Sequence, residues 1–349
     1  MKQISYGRQY IDKKDIEVVI ETLQSDYMTQ GPKVKEFEDK VAEYHGCKFA
    51  VAFCNGTAAL HAAYYAVGLE KGDEFITSPI TFAASGNGGL YLGGIPKFVD
   101  IDSGNYNIDI NKIEKAITDK TKVITPVSLA GYPVDLKAIR KIIKNTGKDI
   151  KIIHDAAHAI GALRENRNIV DYADVTILSF HPVKHVTTGE GGMVLTNNEN
   201  YYKKLCLFRT HGITKNSDEL EENQGDWYYE MQELGYNYRI TDMQCALGIT
   251  QMSKLDKSLY ERNKIADYYD NELKDLKWLT LPINYFEKEW LKDEKYKDLK
   301  IKPENLNSYH LYPVLLKDPE ERKSFFDCFC TFNIGCREYF CGRNNNLKC

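Results

Sequence analysis

From Asp12 the segment DKKDIEVVIETLQS sets Ile16, Val19, Ile20 and Leu23 on one helical face, with Asp12 placed to cap the free amide groups. This pattern predicts an amphipathic helix. A second helical pattern, Val34, Phe37, Val41 and Tyr44, stops at Gly46, a common helix end. Thereafter short apolar runs (FAVAF, EFITS, KFVDI, KVITPV, IKIIHD, VTILSF and MVLT) are separated by stretches of helical period. Strands alternating with helices imply an α/β fold with a mainly parallel sheet covered on both faces. Ligands of such sheets bind at the carboxyl ends of the strands, so the residues that follow each apolar run are the candidates for chemistry. From Thr241 a long charged helical pattern, LGITQMSKLDKSLYERNKIADYYDNELKDL, predicts a spine helix leading into a smaller domain. The expected division is a large domain over residues 1–250 and a spine helix with a small C-terminal domain over 251–349.

Length agrees with that division, since 349 residues at roughly 150 per domain make about two domains. The 43% hydrophobic and 28% charged residues sit at globular averages. A net charge of −4 without a basic block leaves no footprint for nucleic acid. The first residues, MKQISYGRQYIDKKD, contain no apolar signal core, and no run of about eighteen apolar residues occurs, so neither export nor a membrane span is expected. A cytoplasmic protein is the expectation. Nine cysteines, five of them between Cys328 and Cys349, show no paired CxxC spacing, so no metal or disulfide framework is expected.

The densest chemical cluster is SFHPVKHVTTGEGGMVLT, where Lys184 lies on a loop between a strand end and a Gly-rich turn. Held away from bulk water, a lysine amine has the lowered pKa that Schiff-base chemistry needs, although a lone lysine also reads as a solvated loop residue. Asp155 ends the run IIHD, an unusual place for an acid. A buried carboxylate there is what keeps the ring nitrogen of a pyridine cofactor such as pyridoxal phosphate (PLP) protonated. His158, three residues on, would reach the same cofactor or serve as a structural hydrogen-bonder. VAFCNGTAALHAAYYAVG offers a strand, an Asn55-Gly56 turn and a helix opened by Thr57 and Ala58, whose free amides suit a phosphate, or simply start a helix. Ser179 lies beside Lys184 and strengthens the phosphate reading. Phe82 in SPITFAAS would stack on a flat ring or join the core, and Asn237 and Arg239 read as a helix cap.

In this order and spacing NGTAALH, SPITFAAS, DAAHAIGA, SFHPVKHVTTGEGG and GYNYRITDMQCALG resemble the DegT/DnrJ/EryC1/StrS family of sugar aminotransferases, from Tyr6 to about Pro313. The resemblance implies the type I fold of PLP-dependent transferases, as in aspartate aminotransferase, and a homodimer with shared active sites. It implies Lys184 as the cofactor-bearing catalytic residue and Asp155 on the ring nitrogen. His158 and Phe82 would contact the cofactor, Thr57, Ala58 and Ser179 would hold its phosphate, and Asn237 would reach in from the partner subunit. SYGRQYID and SDYMTQGPKVKEFE are most similar to members of the pseudaminic acid branch. Those members aminate the C4 ketone of a UDP-linked 4-keto-6-deoxy-N-acetylhexosamine with glutamate as donor. Tyr6, Asp26, Tyr27, Met28 and Thr29 would then meet the sugar nucleotide. Perosamine-type C4 aminotransferases share every cofactor motif and form the alternative. A dehydratase of the family would carry histidine at the position of Lys184, whereas here His185 only follows it.

After TFNIG the sequence leaves the pattern that the resemblance implies, which continues with a V-H-Y-x-P type segment, and reads CREYFCGRNNNLKC. A reading frame shifted near Gly335 is the expectation, with a small domain incomplete after about residue 335. Uncovered apolar surface, reduced stability and even a PLP-binding chain with little turnover would follow.

Overall fold

In the computed structural model, which describes residues 4, 5, 7–222, 224–282, 286 and 288–331, the apolar runs form one seven-stranded sheet. Its strands are β1 (Phe49–Phe53), β2 (Glu74–Thr77), β3 (Ile95–Phe98), β4 (Thr121–Thr125), β5 (Lys151–Asp155), β6 (Val175–Ser179) and β7 (Gly192–Thr196). The order is β1-β7-β6-β5-β4-β2-β3. Only β7 runs against its neighbours; the remaining pairs are parallel. β3 starts two residues before the run KFVDI and ends inside it, because it pairs with the four-residue β2 from Glu74↔Ile95 to Thr77↔Phe98.

Alternation along each strand feeds two faces, as the period of two requires. Val51 and Phe53 pack with α3 (Gly56–Ala66) and α7 (Glu199–Arg209), whereas Ala50 and Ala52 pack with α2 (Pro32–His45) and α8 (Asp242–Met252). Ile153 and Val123 join the first face, and Ile152 and Ile124 meet α5 (Ile110–Ala116) and α6 (Leu136–Thr146) on the second. The second helical pattern behaves as its sequence predicts: Val34, Phe37 and Val41 are buried, and Gly46 closes α2 in the left-handed conformation at φ 65°.

The first helix does not. α1 (Lys13–Leu23) has the expected Asp12 cap, yet Ile16, Ile20 and Leu23 are 53%, 47% and 49% exposed, while Asp15 and Thr22 face α8. A polar clasp turns the helix this way. Asp15 accepts from Thr250 Oγ1 at 2.6 Å and Gln251 Nε2 at 2.9 Å, and Lys254 Nζ pairs with both Asp15 and Asp12. A buried carboxylate with all these donors is tolerated inside, and the apolar stripe is left for another surface.

The spine is likewise two helices, α8 and α9 (Leu255–Leu273), broken at Ser253–Lys254. Ser253 Oγ donates back to Thr250 O at 2.6 Å, and Lys254 is drawn toward the α1 clasp. No helix among the described residues is long and apolar enough to cross a membrane. Tyr6 and the tail beyond Thr331, with the expected frame change near Gly335, lie outside the described residues.

Candidate active site

Asp155 is the last residue of β5 and is 4% exposed. Burial pushes its carboxyl above the usual carboxylate range, against the pull of the Ser85 hydroxyl, the Ala157 amide and the Lys184 charge. Ser85 Oγ donates to Oδ2 at 2.6 Å and the Ala157 N–H to Oδ1 at 3.1 Å. Lys184 is half-buried on the loop that leaves β6, where its N–H donates to His181 O at 2.8 Å. That loop is closed at its base by Phe180 N–H to Gly191 O at 2.9 Å and Thr188 N–H to Phe180 O at 3.0 Å. The Lys184 charge acts on Asp155, His158, His185 and His310 together, which puts its amine among them.

His158 follows β5 on a tight turn and its Nδ1 accepts from the Ala130 N–H at 3.3 Å. Its ring lies 4.3 Å from that of His310, and His185 Nε2 donates to Ser308 O at 2.8 Å. Burial holds all three imidazoles well below their usual pKa, helped for each by the lysine charge, so they enter the site neutral. The segment that brings His310 is fixed by Ser308 N–H to Gly131 O and Leu311 N–H to Ala130 O, both at 3.1 Å.

At the end of β1, Asn55 caps α3 by accepting from the Ala58 N–H at 2.8 Å. With the Ala58 amide engaged, the amides of Gly56 and Thr57 head the open end of an 11-residue helix. A Cβ on Gly56 would stand 3.3 Å from Ser179 Cβ and 3.4 Å from its Oγ, so the Ser179 hydroxyl borders the same end. Gly192 is required for this approach, since a Cβ there would lie 2.7 Å from Gly56 N. An open helix end with a hydroxyl, a half-buried amine and a buried carboxylate match the phosphate, aldehyde and ring nitrogen of PLP.

Other predicted residues are exposed in the single chain, although the Phe82 carbonyl accepts from the N–H of Ser85, the residue that bonds Asp155. Phe82 is 74% exposed on the loop after β2. Asn237 is exposed too, although its neighbour is pinned to the end of β1 by Cys54 N–H to Tyr238 O at 2.8 Å. Asp26, Tyr27, Met28 and Thr29 form an exposed turn. Gly7, next to Tyr6, has the ideal Cβ position 3.2 Å from Val183 Cβ, one residue from Lys184.

Sequence reasoning missed Ser85, His310 and Asp242. The first two carry no local signal, because each acquires its partner from a distant part of the chain, Asp155 for Ser85 and His158 for His310. Asp242 follows the Thr241 cap of α8, yet its buried carboxylate caps a different helix, accepting from Gly31 N–H at 3.0 Å and Val34 N–H at 3.3 Å at the start of α2. Its own N–H donates to Thr29 O at 3.0 Å. A Cβ on Gly31 would collide with Asp242 and Tyr27, which leaves glycine there. Asp242→Ala is expected to cost about 1–3 kcal/mol of stability by stranding these amides. A thermal melt measures the loss; an unchanged midpoint would mean that these amides find other acceptors.

A model of the DegT/DnrJ/EryC1/StrS aminotransferase family matches residues 9–346. The UDP-4-amino-4,6-dideoxy-N-acetyl-beta-L-altrosamine transaminase of Campylobacter jejuni is 37% identical over 343 residues, 97% of this chain and 83% of that protein. The GDP-perosamine synthase of Escherichia coli O157:H7 is 34% identical over 277 residues, 79% of this chain and 73% of that protein. Among solved structures, a Helicobacter pylori aminotransferase involved in the biosynthesis of pseudoaminic acid superposes with a TM-score of 0.82 at 30% identity. That match covers 95% of this chain and 83% of the other.

Proposed function

Because the chain belongs to the DegT/DnrJ/EryC1/StrS family and is thus a PLP-dependent sugar aminotransferase, we propose that its substrate is a UDP-linked 4-keto-6-deoxy-N-acetylhexosamine. The C4 ketone is aminated with glutamate as donor, in the cytoplasm, for pseudaminic acid or a related surface sugar. The observation that carries the chemistry is the convergence of Lys184, Asp155 and the open end of α3 at the carboxyl ends of β6, β5 and β1. The 37% identity to the altrosamine transaminase over 97% of the chain supports the UDP-sugar; the shorter match to perosamine synthase supports it less.

PLP, when bound, supplies an electron sink for the bond broken beside the nitrogen. Lys184 would carry the cofactor, and its amine is placed to deliver the proton that the substrate C4 carbon gains on amination. The Asp155 carboxylate would accept from the ring N–H and so keep that nitrogen protonated. The Gly56 and Thr57 amides and Ser179 would hold the phosphate, Ala58 giving no amide of its own because Asn55 takes it, and His158 and Phe82 would bound the ring. A neutral His158 leaves the positive charges of the site to Lys184 and the ring. Tyr6 and the turn from Asp26 to Thr29 meet the sugar nucleotide.

The second copy of the chain supplies Asn237. The exposed Phe82, Tyr91, Phe98 and Leu234, with the apolar stripe of α1, support an assembly that covers large apolar side chains. Subunit mixing tests the sharing of sites. Lys184→Ala and Asn237→Ala proteins, each impaired alone, are expected to regain up to about a quarter of wild-type activity after joint refolding, since half the dimers then hold one intact site. No regain would confine Asn237 to its own subunit.

The substrate reading is tested with the cofactor-loaded protein, glutamate and a panel of UDP-, dTDP- and GDP-linked 4-keto sugars. Glutamate should bleach the visible cofactor band, and the UDP-linked N-acetyl sugar should restore it fastest. Fastest restoration by a GDP-linked sugar would move the assignment to the perosamine type, and bleaching without restoration by any of them would overturn it.

A further inference from the structure

We infer that Ser85 is a positioning residue, which keeps the Asp155 carboxylate anionic and aimed at the cofactor ring; this rests on the reading that Asp155 meets that ring. Ser85 sits at the start of α4 (Ala84–Leu90) and is 0% exposed. Its hydroxyl is 2.6 Å from Asp155 Oδ2 and 2.7 Å from Thr81 Oγ1.

Proton inventory gives this chain a direction. An ionised carboxylate only accepts, so Ser85 must donate to Asp155 and spend its single proton there. The Thr81 hydroxyl then donates to Ser85. Behind Ser85, the Tyr64 hydroxyl donates to its backbone carbonyl at 2.7 Å and, having one proton, accepts from Thr125 Oγ1 at 2.7 Å. Thr77 Oγ1 in turn donates to Thr125 O at 2.8 Å. The Ser85 backbone is therefore held directly from α3 by Tyr64, which β4 and, behind it, β2 hold in turn.

A neutral Asp155 would have to donate from one oxygen, and at Oδ2 that would reverse both the Ser85 and Thr81 hydroxyls. Oδ1 is meanwhile held by the Ala157 amide, a donor that cannot reverse. Both oxygens are thus met by donors that favour the anion, which opposes the burial of this carboxylate. A charge-assisted hydrogen bond of this length is among the stronger kinds, and its removal leaves a buried acceptor short of one donor.

The test uses the cofactor-free full-length protein, titrated with PLP and with its analogue in which carbon replaces the ring nitrogen. Ser85→Ala is expected to weaken PLP roughly tenfold or more while leaving the analogue nearly unchanged, because only PLP engages the carboxylate. Equal weakening of both ligands would make Ser85 a mere support of pocket shape, and no weakening of either would leave it without a role; each overturns the inference. Thr81→Val, which removes the donor behind Ser85, is expected to give a smaller loss with the same selectivity and serves if Ser85→Ala fails to fold. Asp155→Ala is titrated alongside. If it changes neither affinity, the cofactor reading itself falls, and the Ser85 inference with it; if it lowers PLP alone while Ser85→Ala does not, only the inference falls.

Discussion

Lys184→Ala is expected to lower kcat/KM for transamination by roughly 10³-fold or more, the range lost when a positioned proton-transfer group is removed. In the proposed function the amine is also the covalent handle of the cofactor, so the visible band of the lysine-bound form should disappear while PLP still binds through the phosphate and ring contacts. The fold should persist, because the backbone turn at this residue uses its N–H to His181 O and not its side chain. A second consequence follows from charge. Lys184 lowers the Asp155 pKa and depresses His158 and His310, so its removal should raise all three. Spectra, single-turnover rates and a thermal melt check the set, and a small primary amine in solution should restore part of the proton transfer. An intact visible band in the variant would mean that another residue holds the cofactor.

Asp155→Asn should combine a loss of activity with a gain in stability. Activity falls by about 10²–10³-fold, the scale of losing one preorganised electrostatic partner, because an amide cannot hold the ring nitrogen protonated. The stability gain is on the order of 1 kcal/mol in the cofactor-free protein near neutral pH, since a buried charge is removed while its place is still filled. The sign follows from burial, which raises the carboxyl pKa in the folded chain. The protonated acid is thus favoured by folding, and that contribution is present at low pH and lost as pH rises through the raised value. Melting midpoints of the two cofactor-free proteins should converge in acid and separate toward neutral pH. Wild type melting above the variant at neutral pH would show that the Asp155 partners outweigh its burial.

Much of this was legible in the chain. The seven apolar runs name the seven strands of the main sheet, and the residues at or just beyond their carboxyl ends, Asn55-Gly56, Asp155 and Ser179, lie where parallel sheets expose their ligand-binding loops. Gly46 and Asp12 were readable as helix ends because capping is a local exchange of hydrogen bonds. The family motifs supplied the rest of the cofactor reading, since PLP chemistry needs the same amine and acid wherever this fold performs it.

Other features had no local signature. The face of α1 could not be read from its period: Ile16, Val19, Ile20 and Leu23 form an apolar stripe, yet Asp15 wins the interior because Thr250, Gln251 and Lys254, more than 230 residues away, satisfy it. The break in the spine at Ser253–Lys254 belongs to the same clasp. Asp242 capping α2 across 211 residues, His310 packed against His158, and Ser85 donating to Asp155 were likewise settled by long-range packing. Sequence by itself determined the strands and the chemistry available at their ends, because these depend on side-chain period and residue type over a few positions. Only the tertiary structure decided which polar groups are buried together, because the cost of burying a charge is repaid by donors whose positions exist only after the chain has folded.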